Sequence, residues 1–414
     1  MPKDNHSHKR RPGTVASVET PSVLEKHSWP PIATEVVAWS SVSTTRAGSL
    51  LPSTYLAAVL PEIAHLDLYL DRSVQALADR ATIEITRFDA EAQGALLPFA
   101  SILLRCESAA SSQIENLTAS AQAVLMAEAG DTSRQNASFV AANTAAMRAA
   151  IELSDDLDGD SILRMHSALL ANSHPEWAGK WRSEQVWIGG RSASPHGAMF
   201  VPPTHERVPA AIDDLVAFMG RADIASFTRA MIAHAQFETI HPFPDGNGRT
   251  GRALIHAMLR NSGVTTEMIV PVSAGLLSDT DRYFDALTSY RRGDLNPIVE
   301  LSAMASFRAI ENGRQLLAEL QTYQQRWRSR LKGTRSDAAA WRALDLLMQQ
   351  PVVDAKDLQK HLQISEPAAN TAITRLVDVG VLSRANAGLR FRKWVADDVA
   401  ASLDAFALRA GRRG

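Results

Sequence analysis

Apolar residues along this chain recur mostly at helical spacing. Tyr55, Leu56, Val59, Leu60, Ile63, Leu66 and Leu70 fall three or four apart, and so do Leu96, Phe99, Leu103 and Leu104. Between them, 82–87 alternates and predicts a short extended run, with Phe88 and Asp89 opening the next helix. Ile162, Leu163, His166, Leu169 and Leu170 make another stripe, in which His166 reads as a packed core histidine. Helices are predicted over 227–238, with Ile232, Ala235 and Gln236 facing inward and His234 structural, and over 250–260, with Leu254, Ile255, Met258 and Leu259 apolar. A long helix over 307–331 ends at Gly333 and Thr334. The exceptions are few. Segment 35–40 reads as extended, and 186–188 and 199–203 read as two β-like runs across a Gly, Ser and Pro loop, hence a hairpin. The expected class is mainly α.

Towards the C-terminus the pattern tightens. Trp341, Leu344, Leu347 and Met348 mark one helix and 355–362 a second. A third spans 365–379, with Ser365 as N-cap and Pro367 in its first turn. Two short runs, 381–383 and 389–392, bracket an Asn386-Ala387-Gly388 turn, so this section is expected to be a winged helix-turn-helix. Nine Lys and Arg against six acids between Arg335 and Trp394 give it a weak positive charge. DNA binding is therefore a possible but not favoured reading, and a module for protein targets or dimer contacts is at least as well supported.

The expected organisation is a disordered tail over 1–48, a helical region over 49–130, a core over 131–332, the winged-helix section over 333–396 and a tail over 397–414. With 414 residues, 45% hydrophobic and 21% charged, the composition is that of an ordinary globular chain, and a net charge of −2 gives no general attraction to nucleic acid or anionic lipid. The one cysteine, Cys106, excludes an internal disulfide framework. No secretory signal and no membrane span are read, so a cytoplasmic setting is expected.

The densest chemistry lies between the two predicted helices at 227–238 and 250–260. His241-Pro242-Phe243-Pro244-Asp245-Gly246-Asn247-Gly248-Arg249-Thr250-Gly251-Arg252 is a glycine-rich loop feeding a helix N-terminus, where main-chain N–H groups and the helix dipole favour an anion. Asp245 suits a hard cation held between phosphates. Arg249 and Arg252, three apart, can both fork onto phosphate oxygens. His241 titrates nearest neutrality and suits a general base.

This stretch resembles the signature of the Fic family, His-Pro-Phe-x-Asp/Glu-Gly-Asn-Gly/Lys-Arg-x-x-Arg, at every defined position. The resemblance implies a Fic helical bundle with a small β-hairpin flap, and transfer of AMP from ATP to Tyr, Ser or Thr hydroxyls of proteins, with self-modification among the expected outcomes. It implies His241 as base, Asp245 as Mg²⁺ ligand and Gly246, Asn247 and Gly248 as the anion hole. Arg249, Thr250, Gly251 and Arg252 complete the ATP site, with Arg249 expected on the γ-phosphate. Ile188, Gly189, Gly190 and Arg191 lie where the flap of relatives touches nucleotide, and the flap is expected to hold a target protein by strand addition. Tyr283 and Phe284 resemble the segment that lines the adenine pocket. Ser111-Ser112-Gln113-Ile114-Glu115-Asn116 is similar to the family's inhibitory motif, which implies that Glu115 enters the ATP site and pairs with Arg249. The small residues 108–112 would let its helix approach closely. A homodimer is expected by the same resemblance. Removal of AMP by the same site, transfer of another group, and a nucleotide-sensing transcription regulator are the alternatives.

Overall fold

The computed structural model describes residues 29–39, 53–91, 99–190, 194–335, 338–386 and 392–411. The described chain is mainly α, with two small sheets. It opens with β1 (Ala33–Ala38) and β2 (Thr54–Val59), an antiparallel pair in which Val36 faces Leu56. Helices α1 (Arg72–Glu91), α2 (Ala100–Ile114), α3 (Ala121–Glu128), α4 (Gln135–Glu152) and α5 (Gly159–Leu170) follow. After the flap region come α6 (Val208–Met219), α7 (Ser226–Ile240), α8 (Asn247–Asn261), α9 (Val272–Leu277), α10 (Thr280–Arg291) and α11 (Asn296–Arg330). The chain closes with α12 (Ala339–Gln349), β3 (Val352–Val353), α13 (Ala355–Leu362), α14 (Glu366–Asp378), β4 (Ser383–Arg384), β5 (Trp394–Val395) and α15 (Asp397–Arg409).

Several predicted elements fall elsewhere. The helical stripe read from Tyr55 to Leu60 is strand β2, because β1 offers it a backbone partner and the Ala58 N–H donates to the Val201 carbonyl on its other edge. Tertiary pairing overrides a spacing that six residues fit only loosely. The alternating run 82–87 is the middle of α1, whose Ala78, Ala81, Ile85 and Phe88 are all buried at helical spacing. A short alternation fits both periods, and the twenty-residue length decides for helix.

The expected tails are shorter than read. Trp29 is buried against Phe218 and Tyr290, so the packed fold begins at least there. Segment 397–414 was expected to be a tail, yet α15 buries Val399, Leu403 and Phe406 and packs on α11, α2 and α3. Its first-turn Asp398 accepts hydrogen bonds from Trp327 Nε1 and Arg326 Nη2, both at 2.8 Å. That stripe of three large apolar residues is legible in the sequence and is the reason the helix packs. The expected borders at 130, 332 and 396 do not divide the interior either. One apolar cluster runs from Trp29 to Ala410, and the 35-residue α11 carries it from the central bundle to α12 and α15.

In the C-terminal section, β3, β5 and β4 form a three-stranded antiparallel sheet in that order beside α12–α14. Strand β4 is Ser383–Arg384, shifted from the predicted 381–383 because Val381 and Leu382 are buried in the core, and it pairs with Trp394–Val395; of the predicted run 389–392 only Arg392 is described. Residues 387–391, including most of the predicted turn, lie outside the described residues. No described helix is long and apolar enough to cross a membrane.

Helices α9 and α11 cross at a glycine. A Cβ placed on Gly275 would lie 2.1 Å from the Ala305 carbonyl oxygen, which is backbone and cannot step aside. Gly275→Ala is expected to destabilise the fold by about 1–3 kcal/mol through forced separation of the two helices. Urea unfolding checks this, and an unchanged midpoint would contradict so close a crossing.

Candidate active site

The sequence 241–252 folds as a tight turn between α7 and α8. His241 closes α7 in the left-handed region (φ 50°, ψ 60°), and Gly246 opens α8 at φ 82°. Asn247 holds the turn together. Its Oδ1 accepts from the Phe243 N–H and its Nδ2 donates to the Phe243 carbonyl, both at 2.9 Å. The Asn247 side chain is thus spent inside the loop, and only its main chain is left for an anion. His166 is buried, as expected of a core residue, and stacks on Phe243 with centroids 3.6 Å apart. The Gly179 N–H donates to its Nδ1, so its Nε2 carries the proton and donates to the Asp245 carbonyl at 3.0 Å. A second buried histidine, His234, lies 2.8 Å from the Tyr283 hydroxyl.

The loop is approached by the end of α2. Arg252, only 1% exposed, donates Nε to Ser111 Oγ at 2.9 Å and Nη2 to the Ser111 carbonyl at 2.8 Å and to Glu115 Oε1 at 2.9 Å. Burial works against this cation, but Glu115, Tyr283 and Glu238 outweigh it and hold its pKa above the ordinary value. The expected Glu115–Arg249 pair is therefore corrected to Glu115–Arg252. Arg249 instead pairs with Asp245 one turn back at 3.1 Å, which keeps it away from α2. Ser108, Ser111 and Ser112 are wholly buried, so small side chains do let α2 lie close. Asn143 fixes it from α4, donating to the Ser108 carbonyl at 2.9 Å and to Ser112 Oγ at 3.1 Å. A Cβ built on Gly248 would fall 2.0 Å from Glu115 Oε1. The carboxylate thus rests on the first turn of α8, where an anion is favoured.

His241 is neutral at physiological pH. Burial pushes its imidazole down to about 4; the Glu238 carbonyl and the Glu115 charge oppose this, and Arg182 and Arg291 add to it. Its Nδ1 is buried without an aligned hydrogen-bond partner. Glu238 on α7 is buried and pushed up to about 7, by burial first and by Glu115, against Arg252 and Arg291. No sequence pattern marked Glu238, because a glutamate one turn from a helix end reads as solvated.

The remaining expected residues divide. Among the described residues Ile188 pairs with Phe200 in an antiparallel bridge, and Gly189 and Gly190 follow it exposed. Arg191 lies outside the described residues. Thr250 and Gly251 are buried in the first turn of α8. Tyr283 is 1% exposed and presents no free face, so the expected aromatic pair reduces to Phe284, which is 45% exposed. Asp245 is half-exposed at the mouth of the loop, and no cluster of three or more His, Cys, Asp or Glu that could hold a metal occurs among the described residues. A single hard carboxylate fits Mg²⁺ only when phosphates and water complete its shell.

Comparison with known proteins bears on this geometry. Residues 156–259 match the sequence model of the Fic/DOC family, which spans α5 through most of α8. That stretch is similar to a Fic domain. The protein adenylyltransferase fic-1 of Caenorhabditis elegans is 33% identical over 160 residues, covering 38% of this chain and 28% of that protein. The protein adenylyltransferase Fic of Nematostella vectensis is 30% identical over 164 residues, covering 39% and 35%. The chain thus spans about a third of the length of these curated relatives. A solved Fic family protein from Desulfovibrio desulfuricans G20 is 20% identical, covers 80% of this chain and 97% of its own, and has a TM-score of 0.49.

Two buried histidines and the partly buried His241 predict an acid-labile fold. His166 is pushed down to about 4 and His234 to about 3, chiefly by burial, and His241 to about 4. Unfolded, each binds a proton near 6.5. Below that the unfolded chain holds more protons, so stability falls as pH drops from 6.5 towards 4, by at most about 1.4 kcal/mol per unit per histidine. Glu238 acts the other way, since the folded chain holds its proton between 4.5 and about 7. Three histidines outweigh one glutamate. Urea midpoints are expected to decline steeply between pH 6.5 and 4, and a flat profile would mean the folded histidines accept protons.

Proposed function

We propose that this protein transfers AMP from ATP to hydroxyl side chains of proteins, itself included, and that Glu115 restrains it. The observation that carries the reading is Arg252, wholly buried at the phosphate-favouring end of α8 and held from α2 by Ser111 and Glu115. The names of the relatives support the same chemistry.

The residues divide the work. Main-chain N–H groups of 246–249 cradle phosphate at the start of α8, where they stabilise charge that develops on the α-phosphate and on departing pyrophosphate. Asp245 would hold Mg²⁺ with the phosphates; when bound, the ion neutralises their charge. Arg249 and Arg252 fork onto the remaining oxygens once Arg252 leaves Glu115. His241, neutral and fixed at the end of α7, takes the proton of the attacking hydroxyl, and the flap holds the target backbone above it. Phe284 is the exposed ring against which adenine would stack. The C-terminal section serves better as a protein contact than as a DNA reader. The outward face of α14 carries Glu366 and Asp378, and its Arg375 Nε is spent on Thr334.

The test is the position of the label. ATP labelled at the α-phosphate is expected to label protein, and ATP labelled at the γ-phosphate is not. Label from the γ-position alone would replace AMP transfer with phosphate transfer.

A further inference from the structure

Arg182, between α5 and the flap, is 3% exposed, yet among the described residues no carboxylate is bonded to it. Its hydrogen bonds go to main-chain carbonyls on three separate segments. Nε donates to the His241 carbonyl at 2.9 Å, Nη1 to Glu184 at 3.1 Å and Nη2 to Pro203. Its own N–H donates to the Pro242 carbonyl at 2.9 Å. Glu184 lies just before the flap bridge Ile188–Phe200, and Pro203 just after it. One planar fork therefore ties both feet of the flap to the residue that ends α7.

We propose that Arg182 is a positioning residue that sets the distance from the flap to His241, and so places a strand-docked target hydroxyl against the base. This inference rests on the AMP-transfer reading. Three features of the structure support it. First, Arg182 differs from the flap's other contacts. Among the described residues these include the Ile188–Phe200 pairing, Gln185 Nε2 on the Val186 and Pro202 carbonyls, Tyr55 O–H on Gln185 Oε1, Ala58 N–H on the Val201 carbonyl, the His196 ring at the Thr54 carbonyl, Trp39 against Trp187 and His196, and Arg291 over the Phe200 ring at 3.8 Å. Only Arg182 connects flap and catalytic loop directly through its side chain among these. Second, burying a cation without a bonded anion is costly, and three carbonyl acceptors, one for each nitrogen, offset part of that cost. Burial lowers its pKa to about 10, so it stays charged at neutral pH, favoured by Tyr55 and Glu206. Third, its charge reaches the base. Three charged groups and one carbonyl act on His241: Arg182 before the flap and Arg291 at the end of α10 depress its affinity for a proton, the Glu238 main-chain carbonyl on α7 and the Glu115 carboxylate at the end of α2 raise it. One side chain thus places the base and adds to the burial that keeps it unprotonated.

Lysine can keep the charge but not the three-way fork, and glutamine keeps neither. The experiment uses the full chain carrying Glu115→Gly, alone and with Arg182→Lys or Arg182→Gln. Self-labelling from α-labelled ATP is followed against ATP concentration and pH, and hydrogen exchange is followed at the Ile188, Met199 and Phe200 amides. Both variants are expected to keep the ATP concentration dependence within about twofold while the saturated rate falls about a hundredfold, the effect of a misplacement of about 1 Å. Flap amides should exchange faster in both. The acid limb of the rate profile should stay in place for lysine and move to higher pH for glutamine. Unchanged flap exchange, or a loss of ATP affinity in step with rate, would overturn the positioning role. Failure of both variants to fold would also overturn it, since Arg182 would then be a general structural residue. If the Glu115→Gly parent takes no label from the α-position, the AMP-transfer reading falls, and the exchange measurement alone decides whether Arg182 clamps the flap.

Discussion

Glu115→Gly is expected to raise self-labelling from α-labelled ATP by about tenfold to a hundredfold. The carboxylate rests against Gly248 on the first turn of α8 and bonds Arg252 at 2.9 Å, so on the AMP-transfer reading it takes the space and the partner that a triphosphate would use. ATP must displace it before binding productively, and a state occupied by a competitor reduces apparent affinity by its population. A charge-assisted hydrogen bond is worth about 1.5–3 kcal/mol. Glu115 is 39% exposed along its side chain, so screening brings the contribution towards the lower end of that range. Each 1.36 kcal/mol is a factor of ten, which gives the stated gain. The substitution is mild for the fold, because Glu115 caps α2 from outside the helix and Ser111 still anchors Arg252. Equal labelling by the parent and the variant would show that Glu115 does not restrain the site. Glu115→Gln, which keeps the volume but removes the charge, should fall between the two.

Replacing His241 is expected to cost the Glu115→Gly enzyme about a hundredfold to ten-thousandfold in rate, the usual contribution of a positioned general base. The choice of replacement matters. His241 sits at φ 50°, a conformation that asparagine tolerates and alanine resists. His241→Asn therefore separates loss of the base from strain in the loop, and His241→Ala adds the strain. ATP binding should survive in His241→Asn, because the phosphate cradle belongs to α8. Calorimetric titration with ATP checks this. Retained labelling in His241→Asn would mean that another group takes the proton. Glu238, buried and pushed up to about 7, is the acid nearest in sequence and the first to test in that event.

Much of the chemistry was legible along the chain because it is local. The loop from His241 to Arg252 is contiguous, and its left-handed Gly246 and its place at a helix start follow from residue type and neighbouring periodicity. Helices α7, α8, α13 and α14 lie close to where apolar spacing and caps put them, Ser365 included. Strand β2, the continuity of α1 and the packing of α15 were not read correctly. Each depends on a partner far along the chain, or on a length that a short window does not reveal. The same limit explains Tyr283. A sequence shows an aromatic pair, but only the fold shows one ring buried against His234 and the other exposed.

By itself, then, the sequence determined a helical chain with a glycine-rich turn at a helix start, a histidine at its head and a glutamate motif far ahead of it. Tertiary structure decided which arginine that glutamate holds. Arg249 and Arg252 differ by one helical turn, and periodicity cannot say which faces α2. Asp245, four residues before Arg249, draws that side chain back along α8, whereas Arg252 faces Ser111 on the neighbouring helix. Arg182 belongs to the same class. It is one basic residue among 43, and only folding brings the carbonyls of 184, 203 and 241 within reach of one guanidinium. Those contacts join segments up to about sixty residues apart, and no local pattern encodes a distance of that kind.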